Sequence, residues 1–455
     1  MNLSRRRFAT LAAAAVGASA LAACGDDGNG TDTPTQNGDG GDNGNGGAAG
    51  AFTYWSMWTE GEDQQVVLSE EIAKFTEATG IEVDVQWSGR EVLGQVVPRL
   101  NAGNPPDLVD MGAPDFLAQL GAENLTDLSD VYDMEIPDEG GTVRDVIPES
   151  LMGTMELEGG GTFLVPYEII GSTMWYNANV TPELGDSTPQ TWEDFVTLMQ
   201  QLRDDGRTPI ALDGDIADYC AYWVEWGVLR AGGAGSIREA MQDATGEAFN
   251  NPAWTAATDN VEALITGGFF PEGFNGTTFP TQQASWADQT SETDVILMGS
   301  WLPSETTASI TQSGGDPESL AFGSFPFPSV GENLGAGLAQ AQPIGFAVPN
   351  GARNIDPAKQ FMAWFMHKDR IQRIATDTKN LTPRTDVEPP AELAGFAEEY
   401  ANATETILMS DGITLVDPAW VTDIWQPAIR DFFGGNLSAQ EFRDQLAEQT
   451  SSHLG

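Results

Sequence analysis

The chain has 455 residues and carries 68 acidic against 20 basic side chains, a formal net charge of −48. Such a surface repels nucleic acid and anionic lipid, so neither is an expected partner. With two cysteines and two histidines, the chain offers no disulfide framework, His-based zinc site, or Ser-His-Asp or Cys-His catalysis.

The N-terminus sets the compartment. Ser4-Arg5-Arg6-Arg7-Phe8 places a twin-arginine pair ahead of an alanine-rich apolar stretch ending at Ala23, too short to span a bilayer as a mature helix. Leu21-Ala22-Ala23-Cys24 resembles the lipobox of exported lipoproteins, which makes residues 1–23 a twin-arginine lipoprotein signal and Cys24 the lipidated first residue. Residues 25–50 are mostly Gly, Asp, Asn, Thr and Pro with nothing large to bury, so 24–50 form a lipidated, disordered leash. No later stretch supplies the ~18 consecutive apolar residues of a membrane span. Removing the signal leaves 17 basic and 68 acidic side chains, with four lysines in all. This acidic, lysine-poor surface resembles proteins of salt-loving organisms, where a Debye length of ~3 Å at 1 M salt removes the self-repulsion.

The remaining 400 or so residues are too many for one core, and two lobes are expected. Phe52-Thr53-Tyr54-Trp55 reads as a strand, and Leu68, Ile72 and Phe75 mark a helix that Gly80 ends. Ile81, Val83, Val85 and Trp87 alternate as a half-buried strand, and Leu108-Val109 follows the Pro105-Pro106 turn as another. This β-α-β-α-β order predicts an α/β lobe with a mostly parallel sheet and ligands beyond the carboxyl ends of its strands. Phe163-Leu164-Val165 and Thr173-Met174-Trp175-Tyr176 flank Pro166-Tyr167-Glu168. Thr191 and Asp194 form a capping pair for a helix burying Trp192, Phe195, Met199 and Leu202. Val295 to Met298 and Ile344 to Val348 read as core strands, Asp356-Pro357 as the cap of a helix bearing Phe361 and Phe365, and Ser438 with Glu441 as the capping box of the last helix.

In this order the segments resemble the extracellular solute-binding proteins of ABC importers, in particular the sugar-binding branch that includes maltose-binding proteins. The resemblance runs from Phe52 onward and rests on Trp55-Ser56-Met57-Trp58, Phe75-Thr76-Glu77-Ala78-Thr79-Gly80 and Ala102-Gly103-Asn104-Pro105-Pro106-Asp107-Leu108. Val165-Pro166-Tyr167, Trp175-Tyr176-Asn177, Pro189-Gln190-Thr191-Trp192, Gly299-Ser300-Trp301 and Thr382-Pro383-Arg384 continue it. It implies an α/β, two-lobed periplasmic-binding-protein-like fold with a multi-strand hinge. Residues 51–168 plus 343–385 would form the N-terminal lobe and 169–342 plus 386–455 the C-terminal lobe. It also implies a monomer without cofactor, closing on a sugar, oligosaccharide or polyol and delivering it to an ABC-transporter permease.

A sugar presents apolar C–H faces and a rim of hydroxyls, so its site needs flat aromatic platforms and directed polar groups. Trp58 and Glu60 lie just past the first strand, Met111 and Gly112 in the next strand-end loop, and Tyr167 and Glu168 at the first hinge crossing. Tyr222-Trp223-Val224-Glu225-Trp226 sets three aromatics within five residues of a helix, which cannot all face one side. One should face the cleft, and Trp223 and Trp226 are the candidates. Trp301 follows a core strand and a glycine, where a large side chain can swing into a cleft. Trp425 and Arg384 are carried over by position only; a helix core and a structural ion pair are their alternatives. A secreted glycoside hydrolase is the rival reading and needs two carboxylates ~5 to 9.5 Å apart. A lipid-anchored adhesion or metal-scavenging protein is a third, weakened by scarce His and Cys and by the lack of a D-x-[DN]-x-[DN]-G calcium loop.

Overall fold

The structure is a computed structural model that describes residues 50–157, 159–290 and 292–455; the signal, Cys24 and the leash before Gly50 lie outside the described residues. Its strands are β1 Ala51–Ser56, β2 Glu82–Trp87, β3 Leu108–Gly112, β4 Val165–Ile170, β5 Ser172–Asn177, β6 Ile210–Ala211, β7 Val295–Gly299, β8 Phe322–Phe325, β9 Leu338–Gln340, β10 Gln342–Ala347 and β11 Glu405–Ile407. They build a five-stranded sheet in the order β2-β1-β3-β10-β4, a four-stranded sheet β6-β7-β5-β8, and a pair β11-β9.

The β1, β2 and β3 unit is parallel as expected and β4 runs the same way, and the one departure in the first sheet is β10. β1 runs parallel to β2 and β3, but β10 is antiparallel to both β3 and β4. Ile344 to Val348 is a continuous apolar run, and such a run carries no information about strand direction. β10 enters this sheet from β9 of the two-stranded pair, at the end where β3 finishes, and has to run back along it. β2 alternates as expected, although its inward residues Val83, Val85 and Trp87 are only half-buried because it is the edge strand.

Local rules place the helices well. Asp63–Thr79 buries Leu68, Ile72 and Phe75 and ends at Gly80, which takes a left-handed φ of 72° while its N–H donates to the Thr76 carbonyl. Thr191 caps Trp192–Asp204 by accepting from the Asp194 N–H, and the Ser438/Glu441 box opens Ala439–Leu454. One cap is displaced: the helix Ile355–Phe365 starts after Asn354, so Asp356 and Pro357 sit inside its first turn. Asp107 explains the shift. Its carboxylate accepts from the Thr53 N–H at 2.9 Å and from the Arg353 and Asn354 N–H groups at 2.9 Å each, tying the helix start to the edges of β1 and β3. Burial alone would raise this carboxyl, but the backbone donors outweigh it and hold it below its ordinary range.

The sheets are joined where the chain crosses between them. β4 passes into β5 through Gly171, β9 passes into β10 through Ala341, and Leu381 bridges to Ile169 before the chain continues to the helix Ala394–Ala401. The first two crossings touch. A Cβ on Gly171 would collide with the Gln340 carbonyl and the Phe396 ring, so only glycine fits there. Ser172 donates to Gln340 Oε1 from its N–H at 3.2 Å and from its hydroxyl at 2.6 Å. Aromatic packing fills the space beneath the first sheet, with Phe346 4.8 Å from Tyr167 and 5.5 Å from Phe361 between ring centres.

Candidate functional site

Asp110 organises the first wall of the site. It is a fully buried carboxylate in an otherwise apolar strand, and its hydrogen-bond donors are hydroxyls and a backbone N–H rather than a cation. Its Oδ2 accepts from the hydroxyls of Tyr54 at 2.6 Å, Tyr167 at 2.7 Å and Ser56 at 3.2 Å, and its Oδ1 from the Met57 N–H at 2.7 Å. Burial raises its pKa despite these four donors. The Tyr167 hydroxyl in turn accepts from the indole N–H of Trp58 at 2.7 Å. Arg90 lies over the Trp58 ring, 4.4 Å from its centre, held by the Met57 carbonyl at 2.7 Å and by Glu62 at 2.8 Å. A chain of hydrogen bonds from Asp110 thus fixes the Trp58 loop.

Beside it, Glu168 is 2 % exposed, and its Oε2 accepts from Gln64 at 3.2 Å. Desolvation pushes this carboxyl up to about 8. Gly112 ends β3 where Asp115 and Gln342 converge: a Cβ there would lie 2.8 Å from Asp115 Oδ2 and 3.6 Å from Gln342 Nε2. Met111 is buried in β3, and Glu60 is exposed on the loop after Trp58.

The second wall is built around Trp301. Its ring lies flat over Gly299, where any Cβ would collide with it, and it remains partly exposed. The Trp301 side chain hydrogen-bonds Tyr219, whose phenol burial pushes up to about 12. Tyr219 packs against Tyr222 at 5.9 Å and edge-on against Phe279 at 5.5 Å. Next to it Gln283 Nε2 donates to Glu305 Oε2 at 2.8 Å, and the buried Gln283 Oε1 has no hydrogen-bond partner among the described residues. Asp213 holds this helix start by accepting the N–H groups of Gln282 and Gln283 at 2.8 and 2.9 Å. Ser300 pins the Trp301 turn to the crossing, since its N–H donates to the Gly171 carbonyl at 2.7 Å and its hydroxyl accepts from the Gly171 N–H at 3.4 Å.

Four of the residues singled out in the sequence stand apart from these two walls. Trp223 and Trp226 are both fully buried, so neither faces a cleft. Their helix, Ala217–Gly232, is covered on nearly every side, with Gly227 letting Ala257 of a neighbouring helix approach closely, and one-sided amphipathic reasoning fails for it. Trp425 stacks on Trp420 at 5.8 Å inside the second core. Arg384 forks between Glu139 at 2.9 Å and Asp386 at 2.8 Å and also donates to the Met366 carbonyl, the structural ion pair. Tyr167 sits in the first wall, fully buried, with its hydroxyl engaged on both sides. Sequence reasoning missed Asp110, Arg90, Tyr219 and the Gln283–Glu305 pair. Asp110 had a signal, a carboxylate inside an apolar strand; Gln283 and Glu305 had none.

This arrangement of two mixed sheets about a multi-strand crossing is the fold of two-lobed solute-binding proteins. The bacterial solute receptor AcbH superposes with a TM-score of 0.72 at 18% identity, covering 89% of this chain and 100% of that one. RafE from Streptococcus pneumoniae gives 0.71 at 16% identity, covering 90% and 100%. Residues 58–368 match the family described as bacterial extracellular solute-binding protein, and the chain belongs to that family. Among its relatives are the diacetylchitobiose binding protein NgcE of Streptomyces coelicolor and a probable sugar-binding periplasmic protein of Brucella suis. The first is 24% identical over 47% of this chain and 45% of its own length, so this match spans less than half of that relative. The second is 24% identical over 86% and 89%. The family binds solutes without transforming them, which removes the paired-carboxylate hydrolase.

Glu168 carries a pH dependence whose sign is fixed. A carboxyl raised to about 8 in the fold binds its proton more tightly than in the unfolded chain, so its stabilising contribution is complete below ~4.5 and is lost as pH rises through about 8. Glu225, also pushed up to about 8, and Glu399, to about 7, act in the same direction. The melting temperature is expected to fall from pH 5 to pH 9, and Glu168→Gln to flatten part of that slope. An equally steep slope in Glu168→Gln would show that this carboxyl is charged in the fold.

Proposed function

We propose that the protein captures a sugar or oligosaccharide between the Trp58 wall and the Trp301 wall and delivers it to an ABC-transporter permease. The observation that carries this is Trp301: a partly exposed indole laid over Gly299, flanked by a phenol and by an amide–carboxylate pair. Such a ring offers an apolar face to sugar C–H groups, while Gln283 and Glu305 offer directed donors and acceptors to hydroxyls. The names of relatives support the reading, since NgcE binds diacetylchitobiose and the Brucella protein is described as sugar-binding.

On this reading the N-terminal lobe is residues 51–168 plus 343–385 and the C-terminal lobe 169–342 plus 386–455. The crossings at Gly171 and Ala341 serve as hinge, with lobe closure converting binding into a shape that the permease recognises. Residues 1–23 serve as a twin-arginine lipoprotein signal, Cys24 as the lipid anchor and the leash as a spacer at the extracellular face of the membrane. The excess of carboxylates is an adaptation to salt.

Three measurements test these statements. Trp301→Ala should weaken sugar binding by roughly 1 to 3 kcal/mol while the protein stays folded, and ligand should compact the wild type in small-angle scattering; unchanged affinity with unchanged dimensions would place the ligand elsewhere. Cys24→Ser should release the exported protein from the membrane with ligand affinity intact; a variant that stays membrane-bound contradicts the anchor. Stability should climb between about 0.1 and 1 M salt as screening shortens from ~10 to ~3 Å, and a melting temperature indifferent to salt rules out the adaptation.

A further inference from the structure

A second cavity, of about 510 Å³, opens beside the β8 edge of the second sheet, and none of its lining residues belongs to the Trp58 or Trp301 walls. Its size falls within the ~300–1,000 Å³ of small-molecule sites. We propose that this cavity is a separate binding site for a small, neutral, hydroxyl-rich compound of the polyol class, held by Arg230, Glu399 and the serine and asparagine side chains around them.

Arg230 is a buried cation whose donors are nearly all committed. Its Nε donates to the Phe327 carbonyl at 2.9 Å, its Nη1 to the Gly335 and Leu338 carbonyls at 3.0 and 3.1 Å, and its Nη2 to Glu399 Oε1 at 3.3 Å. The Trp226 ring covers it at 4.7 Å. One of five N–H groups is left over, on Nη2. Glu399 is held as incompletely: Oε2 accepts from Thr173 at 3.0 Å, and Oε1 has only the long contact from Arg230. The pair therefore presents one free donor beside one under-used acceptor in a desolvated setting, where unmet hydrogen-bonding capacity is expensive.

The charge of the cavity selects the ligand class. Glu398 adds a second carboxylate to the lining, so one committed cation faces two acids and an anionic ligand is repelled. Ser324, Ser329, Asn333 and Asn402 each both donate and accept, which matches hydroxyl groups, and Phe325-Pro326-Phe327 provides an apolar strip for C–H groups.

The test uses the mature protein with Cys24→Ser and titration calorimetry at pH 7 with erythritol, xylitol, mannitol and myo-inositol. At least one should bind saturably at 1:1 with a Kd below about 1 mM, and that binding should persist in Trp301→Ala. Ala336 is exposed on the rim, so Ala336→Trp should fill the cavity and weaken binding at least about tenfold without touching the ion pair; Glu399→Gln should weaken it while leaving the shape unchanged. The proposal falls if none of the four polyols saturates the protein. It also falls if their binding disappears in Trp301→Ala but survives Ala336→Trp, or if only putrescine or choline saturates the cavity. Failure of the cleft reading is a separate result, since it would leave every ligand indifferent to Trp301→Ala.

Discussion

The contact of Gly171 with Gln340 is the tightest constraint where the chain crosses between sheets. Two chain crossings lie so close there that a methyl group on one would overlap the carbonyl of the other. Ser172 then donates twice to the Gln340 side chain, and the Trp226 indole N–H donates to the Ser172 hydroxyl at 2.9 Å. Backbone groups that would otherwise lose their partners between two sheets are thereby satisfied in a dry setting. Ser300, bonded to Gly171, carries the constraint to Trp301, so a partly exposed aromatic ring of the candidate site is fixed by the same junction that joins the sheets.

Two aspartates three residues apart show how local donors decide what a carboxylate does. Asp107 receives backbone N–H groups from two segments and is held ionised as a staple. Asp110 receives mostly hydroxyls, and burial wins over them, raising its pKa. The first closes the fold of the N-terminal sheet. The second spreads a polar chain through Tyr167 to Trp58, adding a directed hydrogen bond to the packing of that buried indole.

What was legible in the chain follows from which physics is local. Capping pairs, the Gly80 stop and the four buried residues of Trp192–Asp204 depend on neighbours three or four residues away, and they are found where the pattern puts them. Strand direction depends on where the chain re-enters a sheet, which no window of residues contains; hence the antiparallel β10. The tryptophans split for the same reason. Trp301 stands behind a strand and a glycine, a local cue to an open turn, whereas Trp223, Trp226 and Trp425 lie on helices buried on several sides, where spacing cannot tell cleft from core. Gln283 and Glu305 meet only because Asp213 fixes one helix start beside another, a pairing 22 residues apart without a sequence signature.

The charges on the two walls bear on how a ligand would drive closure. Glu60 and Asp115 belong to the first wall, and Asp213, Asp215, Asp218 and Glu305 to the second or its immediate surroundings, while Arg90 is the principal cation of the first and is engaged by Glu62; Glu168, pushed up to about 8, adds no full charge at neutral pH. Like charges brought together in a narrowing, low-dielectric gap repel more strongly as water leaves, so closing the empty walls is opposed. A neutral hydroxyl-rich ligand changes the sign of that balance. On the proposed reading its O–H groups would donate to carboxylates from both sides and its C–H face would cover Trp301, so the groups that oppose closure of the empty walls would become acceptors for the filled ones. An anionic solute would add to the repulsion instead, so on the proposed reading acidity would act both as a filter on ligand class and as a spring against closure without ligand.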